Sequence, residues 1–343
     1  MQVLFIAPYR ESTGWGEASR RIIIDMYNSG VDVVLRCIKL GTKTPELNPV
    51  IEKLENKLLN NITHVIQCCL PHHMEWFPGV VNIGAPFIDT NTLSHPIWLE
   101  KLKSMDYLWL FDFNDTLSGL CGNKIRFINV PAKNMQKKPR HKQDSCKFYF
   151  VGEFNRRKNI AQLIECFHLA FRPEEPVELT LKLNKPNMDI VTLTKEVESL
   201  ISTVKNNLRL RTNYKPEIVV LGDISDEQVD SIHYQNDVFI TTSFGEAWCL
   251  PAQDAAVCGN YVLGSKHGVD FIRYPTPCMG HYDTFDGILT ANDWYTRPDY
   301  KNVIDCMRSV KNYVIGGVPA THRINYKNDY RKLLDSCILP KVS

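Results

Sequence analysis

Two acids eight residues apart, Glu246 and Asp254, form the strongest chemical signal in the sequence. Glu246 falls in a loop after a β-branched run at 237–242, and Asp254 lies about one turn into a helical pattern at 250–257. Pro251 suits the first turn of that helix, where a missing N–H costs nothing. The free N–H groups of such a helix start, together with its dipole, favour an anion such as a diphosphate. A second signal is the run Arg156, Arg157 and Lys158, between a strand at 147–152 and a helix at 159–171. A helix dipole favours anions at its start, so three cations there are out of place on their own. A bound diphosphate removes the conflict, with arginine binding it bidentately and lysine acting as a point charge. The competing reading makes Glu246 and Asp254 a loop acid and a solvated helix acid, and makes the cations a surface patch.

Two further groups stand at predicted strand ends of the first half. Gly14 and Gly16 with Arg20 link the first strand to the first helix, and a Gly-x-Gly turn lets backbone approach a ligand closely. His72 and His73 follow the run at 63–70, and the pair Asp89 and Thr90 follows the run at 80–87. Cys69 beside the two histidines lacks the second group of ligands that a metal site needs. Lys182 and Lys185 flank another strand end, where surface lysine is the default and added charge at a diphosphate the alternative. No Gly-x-Ser-x-Gly elbow, Walker loop, His-Glu-x-x-His motif or Asp-x-Asp pair at a strand end occurs.

The segment from Ser243 to Ala256 resembles the E-x7-E element of retaining glycosyltransferases of the GT-B fold, family 4 (glycosyl transferases group 1). Glu246 matches the first acid and Asp254 the second, with aspartate in place of glutamate and Cys249 where the family commonly has glycine. The segment from Val151 to Asn159 resembles the family's G-R-x4-K-G element, with Lys158 matching its lysine and Glu153 in the place of its arginine. Arg156 or Arg157 then has to substitute. The resemblance implies a hexose moved, with retention, from a UDP- or GDP-sugar to a glycan or other hydroxyl acceptor. It places Glu246 by the donor sugar and Asp254 on the nucleotide ribose. It sets Arg156, Arg157 and Lys158 on the diphosphate, Gly14 and Gly16 near the donor, and His72 or His73 at the transfer point. No metal or other cofactor is expected, because cations and helix dipoles can neutralise the leaving diphosphate. The alternatives are a degenerate protein that binds a nucleotide sugar or a partner without catalysis, and a sugar-nucleotide epimerase.

The elements that must hold these residues read as α/β. Short β-branched runs at 2–7, 31–38, 63–70, 80–87, 107–111 and 125–130 alternate with helical patterns, and a second series starts at 147–152. Two Rossmann-like doubly wound parallel-sheet domains facing across a cleft are expected, at 1–140 and 145–318. A helical tail at 319–343 is expected to pack back on the first. The proline-bracketed basic stretch 131–145 reads as the linker. A chain of 343 residues suits two domains. Its net charge of +2 gives no field for nucleic acid. No apolar run reaches the length of a membrane span, and Met1 to Pro8 lacks the flanks of a signal peptide. The 11 cysteines have no regular framework and read as free thiols in a reducing, cytoplasmic setting.

Overall fold

The computed structural model describes residues 2–42, 44–139, 141–210, 214–264, 273–278, 288–322 and 327–338. The chain begins with β1 (Gln2–Ala7), α1 (Gly14–Asn28), β2 (Asp32–Cys37), α2 (Pro49–Glu55), β3 (Ile62–Gln67), β4 (Val81–Gly84), α3 (Pro96–Ser104), β5 (Tyr107–Leu110), α4 (Asp115–Cys121) and β6 (Ile125–Phe127). These strands form one parallel sheet in the order β2-β1-β3-β4-β5-β6. The second series runs β7 (Cys146–Glu153), α5 (Ile160–Ala170), β8 (Val177–Asn184), α6 (Ile190–Leu208), β9 (Ile218–Leu221), α7 (Asp226–Gln235), β10 (Val238–Ile240), α8 (Leu250–Cys258) and β11 (Tyr261–Leu263). It forms a second parallel sheet, in the order β11-β10-β7-β8-β9. The inner strands are apolar on both faces, as a sheet covered by helices on both sides requires.

Each sheet reverses its strand order at one point, between β1 and β3 in the first and between β7 and β10 in the second. A doubly wound sheet has its ligand crevice outside the carboxyl ends of the strands at such a point. The connections that leave β1, β3, β7 and β10 lead to Gly14 and Gly16 at the start of α1, and to His72 and His73, Lys158, and Glu246 respectively.

The remaining elements tie the two halves together. An antiparallel hairpin, β12 (Arg273–Pro277) with β13 (Trp294–Pro298), leaves the second series. Trp294 exchanges hydrogen bonds with the first half, accepting from Asn91 N at 2.9 Å and donating to Thr92 Oγ1 at 2.9 Å. The sequence reading missed this hairpin because each strand carries prolines, which demote a run as a strand. After α9 (Tyr300–Ile315), the short α10 (Tyr330–Asp335) returns to the first sheet, where Tyr330, Leu334 and Cys337 join its core. The basic stretch is held by acids and carbonyls of the second half. Lys133 pairs with Asp230 at 2.6 Å, and Lys138 pairs with Asp237 at 3.0 Å and donates to Asn236 O.

Candidate functional site

The β7–α5 and β10–α8 loops are laced into one unit. Asn155 accepts from Lys158 N, Phe244 N donates to Arg157 O at 2.9 Å, and Thr242 Oγ1 donates to Asn159 O at 2.9 Å. Both helices start from a left-handed residue, Asn159 with φ 52° and Cys249 with φ 65°, and neither start has a side-chain cap. Most other helices here are capped by Thr, Asn, Asp or Ser. The left-handed backbone at Cys249 accounts for the glycine that the resembling family commonly has there, since only glycine adopts it without strain. Two uncapped helix starts thus meet at the switch point of the second sheet, and a helix start is an anion site.

Glu246 is the centre of charge. Its side chain is 6% exposed and lies 2.6 Å from Lys158 Nζ and 3.2 Å from Arg157 Nη1. Burial pushes the Glu246 carboxyl up, but Lys158 and Arg157 outweigh it and bring it down to about 2. The carboxylate is therefore ionised at neutral pH and serves as a fixed negative charge.

Arg157 reaches into the first half. Its guanidinium lies 3.2 Å from Asp89 and donates to Gly245 O at 2.5 Å. Burial opposes its charge, and Asp89 and Glu246 hold it protonated. Asp89 also accepts from Ala247 N at 2.9 Å. A Cβ placed on Gly245 would stand 1.9 Å from Asp89 O, so the loop before Glu246 touches the β4 loop backbone to backbone. Asp254 likewise faces the other half. Arg21 of α1 holds both of its oxygens, at 2.7 and 2.8 Å, and Glu17 braces Arg21 at 2.7 Å. Both side chains of the pair are nearly buried, at 10% and 9% exposed.

Two residues expected on the donor, Arg157 and Asp254, are therefore committed to ion pairs across the two halves. The reason is local: the shorter aspartate and the Arg157 side chain each meet an oppositely charged partner brought in by the facing sheet. Arg156 stands exposed at the rim. Removing one partner of a buried pair leaves the other uncompensated, so Asp254→Leu or Arg21→Met should each cost about 3–5 kcal/mol. The double variant should cost far less than the sum, as read by urea unfolding of all four proteins.

Gly14 and Gly16 behave differently. Nothing lies within 4 Å of a Cβ on Gly14, which opens α1 at the crevice, whereas one on Gly16 would stand 2.1 Å from Glu11 O. Gly16 is thus required by the loop itself. Arg20 donates to Tyr9 O and Glu11 O and braces the same turn. His72 and His73 lie in a short 3-10 turn, with rings 4.0 Å apart. His72 Nδ1 accepts from Trp98 Nε1 at 3.0 Å. Burial, then His73 and His95, lower the pKa of His72. The neutral ring therefore carries its proton on Nε2 and offers a hydrogen-bond donor there. Among the described residues, no hydrogen bond or ion pair joins these histidines to Glu246. No group of three or more His, Cys, Asp or Glu among the described residues could hold a metal ion, and none of the eleven cysteines is in a disulfide.

Sequence reasoning missed Arg21, whose only signal is its place beside Arg20, and Gly245, whose signal is its place beside Glu246. Asp89, which the sequence places after the run at 80–87, joins the two halves through Arg157 and Ala247 N. Lys182 departs from the surface default: it is 6% exposed, whereas Lys185 lies at the surface within 3.8 Å of Glu196.

The two doubly wound parallel sheets, one after the other in the chain, give the GT-B fold. Residues 132–269 match the model of the family glycosyl transferases group 1. Among solved structures, the chain is similar to the E. coli trehalose-6-phosphate protein bound with UDP-2-fluoro glucose, at 10% identity and a TM-score of 0.59, over 93% of each chain. It is similar to sucrose-phosphate synthase from Thermosynechococcus elongatus, at 14% identity and a TM-score of 0.55, over 98% of this chain and 95% of that one. A third likeness is to S. aureus TarM, solved with fondaparinux, alpha-GlcNAc-glycerol and UDP, at 14% identity and a TM-score of 0.49. It covers 74% of this chain and half (50%) of that one. No curated protein matches the sequence. Among the described residues, no helix is long and apolar enough to cross a membrane.

Proposed function

We propose that this chain is a retaining hexosyltransferase that moves sugar from a UDP- or GDP-sugar to a hydroxyl of a glycan or other acceptor, without a metal. The observation that carries the reading is the meeting of two uncapped helix starts with Lys158 and a buried, ionised Glu246 at the switch point between β7 and β10. As the bond between the anomeric carbon and the diphosphate breaks, negative charge grows on the diphosphate and positive charge on the sugar ring. Lys158 and the starts of α5 and α8 stabilise the first, and Glu246 the second. His72 Nε2–H serves as a donor to a sugar or acceptor hydroxyl. The joint made by Asp89, Arg157, Gly245, Arg21 and Asp254 holds the halves together and keeps water from the reacting centre. The E-x7-E resemblance and the family match over 132–269 support the same reading.

The test is a thermal-shift series with UDP, GDP, ADP and their sugars, with and without EDTA. A base-selective rise in Tm that EDTA leaves intact is expected. A rise that appears only with divalent cations would remove the metal-free mechanism, and no rise with any nucleotide would remove the donor site.

A further inference from the structure

Lys182 is a buried cation that the proposed reaction does not use. It sits on β8, two residues from the strand's carboxyl end, and is 6% exposed. Among the described residues, its ammonium makes one hydrogen bond, to Asn184 Oδ1 at the long distance of 3.3 Å. An ammonium has three donors and no acceptor, so most of its capacity is unused. Burial pushes its pKa down, and Asp223 partly offsets this. A buried cation is costly unless something pairs it, and no acid of the described residues comes within ion-pair distance of it.

The direction of the side chain follows from its neighbours. Lys182 lies opposite Val151 and Val220 in the ladder, and Thr180, on the same face, lies opposite Tyr149. Tyr149 reaches His233 of α7, so this face is the one that α7 covers. Asn184 is two residues nearer the carboxyl edge, so the bond to it draws the ammonium toward the crevice. Adjacent strands are about 4.8 Å apart, which sets β8 roughly 10 Å from β10 across β7. A nucleotide whose diphosphate lies over β7 and β10 and whose ribose runs outward along the sheet would set its base over β8.

We infer that Lys182 recognises the base of the donor nucleotide and selects one with a ring carbonyl at the edge that meets the ammonium, uracil or guanine. This inference rests on the donor site proposed above. Uracil and guanine place a carbonyl oxygen where cytosine and adenine carry an amine. The ammonium donates to that oxygen and would leave the amine bases with two donors facing each other. Asn184 and Asp223 stand beside it as acceptors for ring N–H groups of the same bases.

Isothermal titration of the full chain with UDP, GDP, CDP, ADP and inorganic pyrophosphate tests this, on wild type, Lys182→Met and Lys182→Gln. Wild type should bind UDP or GDP at least tenfold more tightly than CDP and ADP. Lys182→Met should lose at least tenfold on the favoured nucleotide and should keep its pyrophosphate affinity. Its Tm should be equal or higher, because a buried charge is gone. A wild type that prefers ADP or CDP overturns the inference and the UDP- or GDP-sugar donor proposed above, and leaves the diphosphate site standing. So does a Lys182→Met that keeps the base preference. Equal losses on pyrophosphate and nucleotides would assign the ammonium to phosphate and overturn it too. Wild type that binds neither nucleotide nor pyrophosphate overturns the donor site and the inference together. If Lys182→Met does not fold, Lys182→Gln carries the same comparisons.

Discussion

Lys158→Ala should lower the rate of sugar transfer by about 10²–10³-fold, the scale seen when one preorganised electrostatic group is removed from a transition state. The effect has two sources. The developing charge on the diphosphate loses its nearest cation, and Glu246 loses the shorter of its two ion pairs. Arg157 still holds the carboxylate, so the cost in stability should fall toward the lower end of about 3–5 kcal/mol. The pH dependence follows from the same pair. The Glu246 carboxyl falls from an ordinary 4.5 to about 2 in the folded chain. A depressed carboxyl contributes stability above its unfolded pKa and loses it as pH falls through the folded one. In wild type that loss spans pH 4.5 down to about 2. In Lys158→Ala the folded pKa rises, so the contribution is smaller and disappears at higher pH. Urea unfolding of both proteins across pH 2–6 should therefore show wild type the more acid-resistant, and identical pH profiles would place Lys158 outside the pair.

Gly245→Ala should be the most damaging change of a single methyl group. The added carbon would stand 1.9 Å from Asp89 O, and that oxygen belongs to backbone, so no side-chain rotation relieves the clash. Either the β4 loop or the Glu246 loop must move. Overpacking of this kind costs about 1–3 kcal/mol or more. The functional loss should be larger than the loss of stability. The Glu246 carboxylate is fixed by the same loop, and a displacement near 1 Å can cost roughly 10²-fold in rate. A Gly245→Ala protein with wild-type transfer and an unchanged Tm would show that the two loops do not meet as described.

The fold was largely legible because its signals are local. Apolar runs such as those at β1, β7 and β10 announce strands buried on both faces, and the Ser225 and Gln228 capping box announces α7. The candidate site was legible where one loop carries its charged residues, as at Lys158 and Glu246. It was not legible where the geometry rests on pairs far apart in the chain. Arg21 and Asp254 are separated by 233 positions, and nothing in either segment states that they meet. The resemblance implies Asp254 on the nucleotide ribose, whereas the facing helix supplies Arg21 to both of its oxygens. Lys182 reads as a surface residue by default, yet the fold leaves it only 6% exposed. The β12–β13 hairpin escaped notice because proline is poor in central strands and tolerated in an isolated two-stranded ribbon.

The most direct test of the central claim is to follow UDP- and GDP-hexoses by NMR in EDTA with the wild-type chain and a panel of glycan acceptors. The account predicts release of the nucleoside diphosphate together with a glycoside that keeps the donor's anomeric configuration. Donors that stay intact with every acceptor, or a product of inverted configuration, would contradict it.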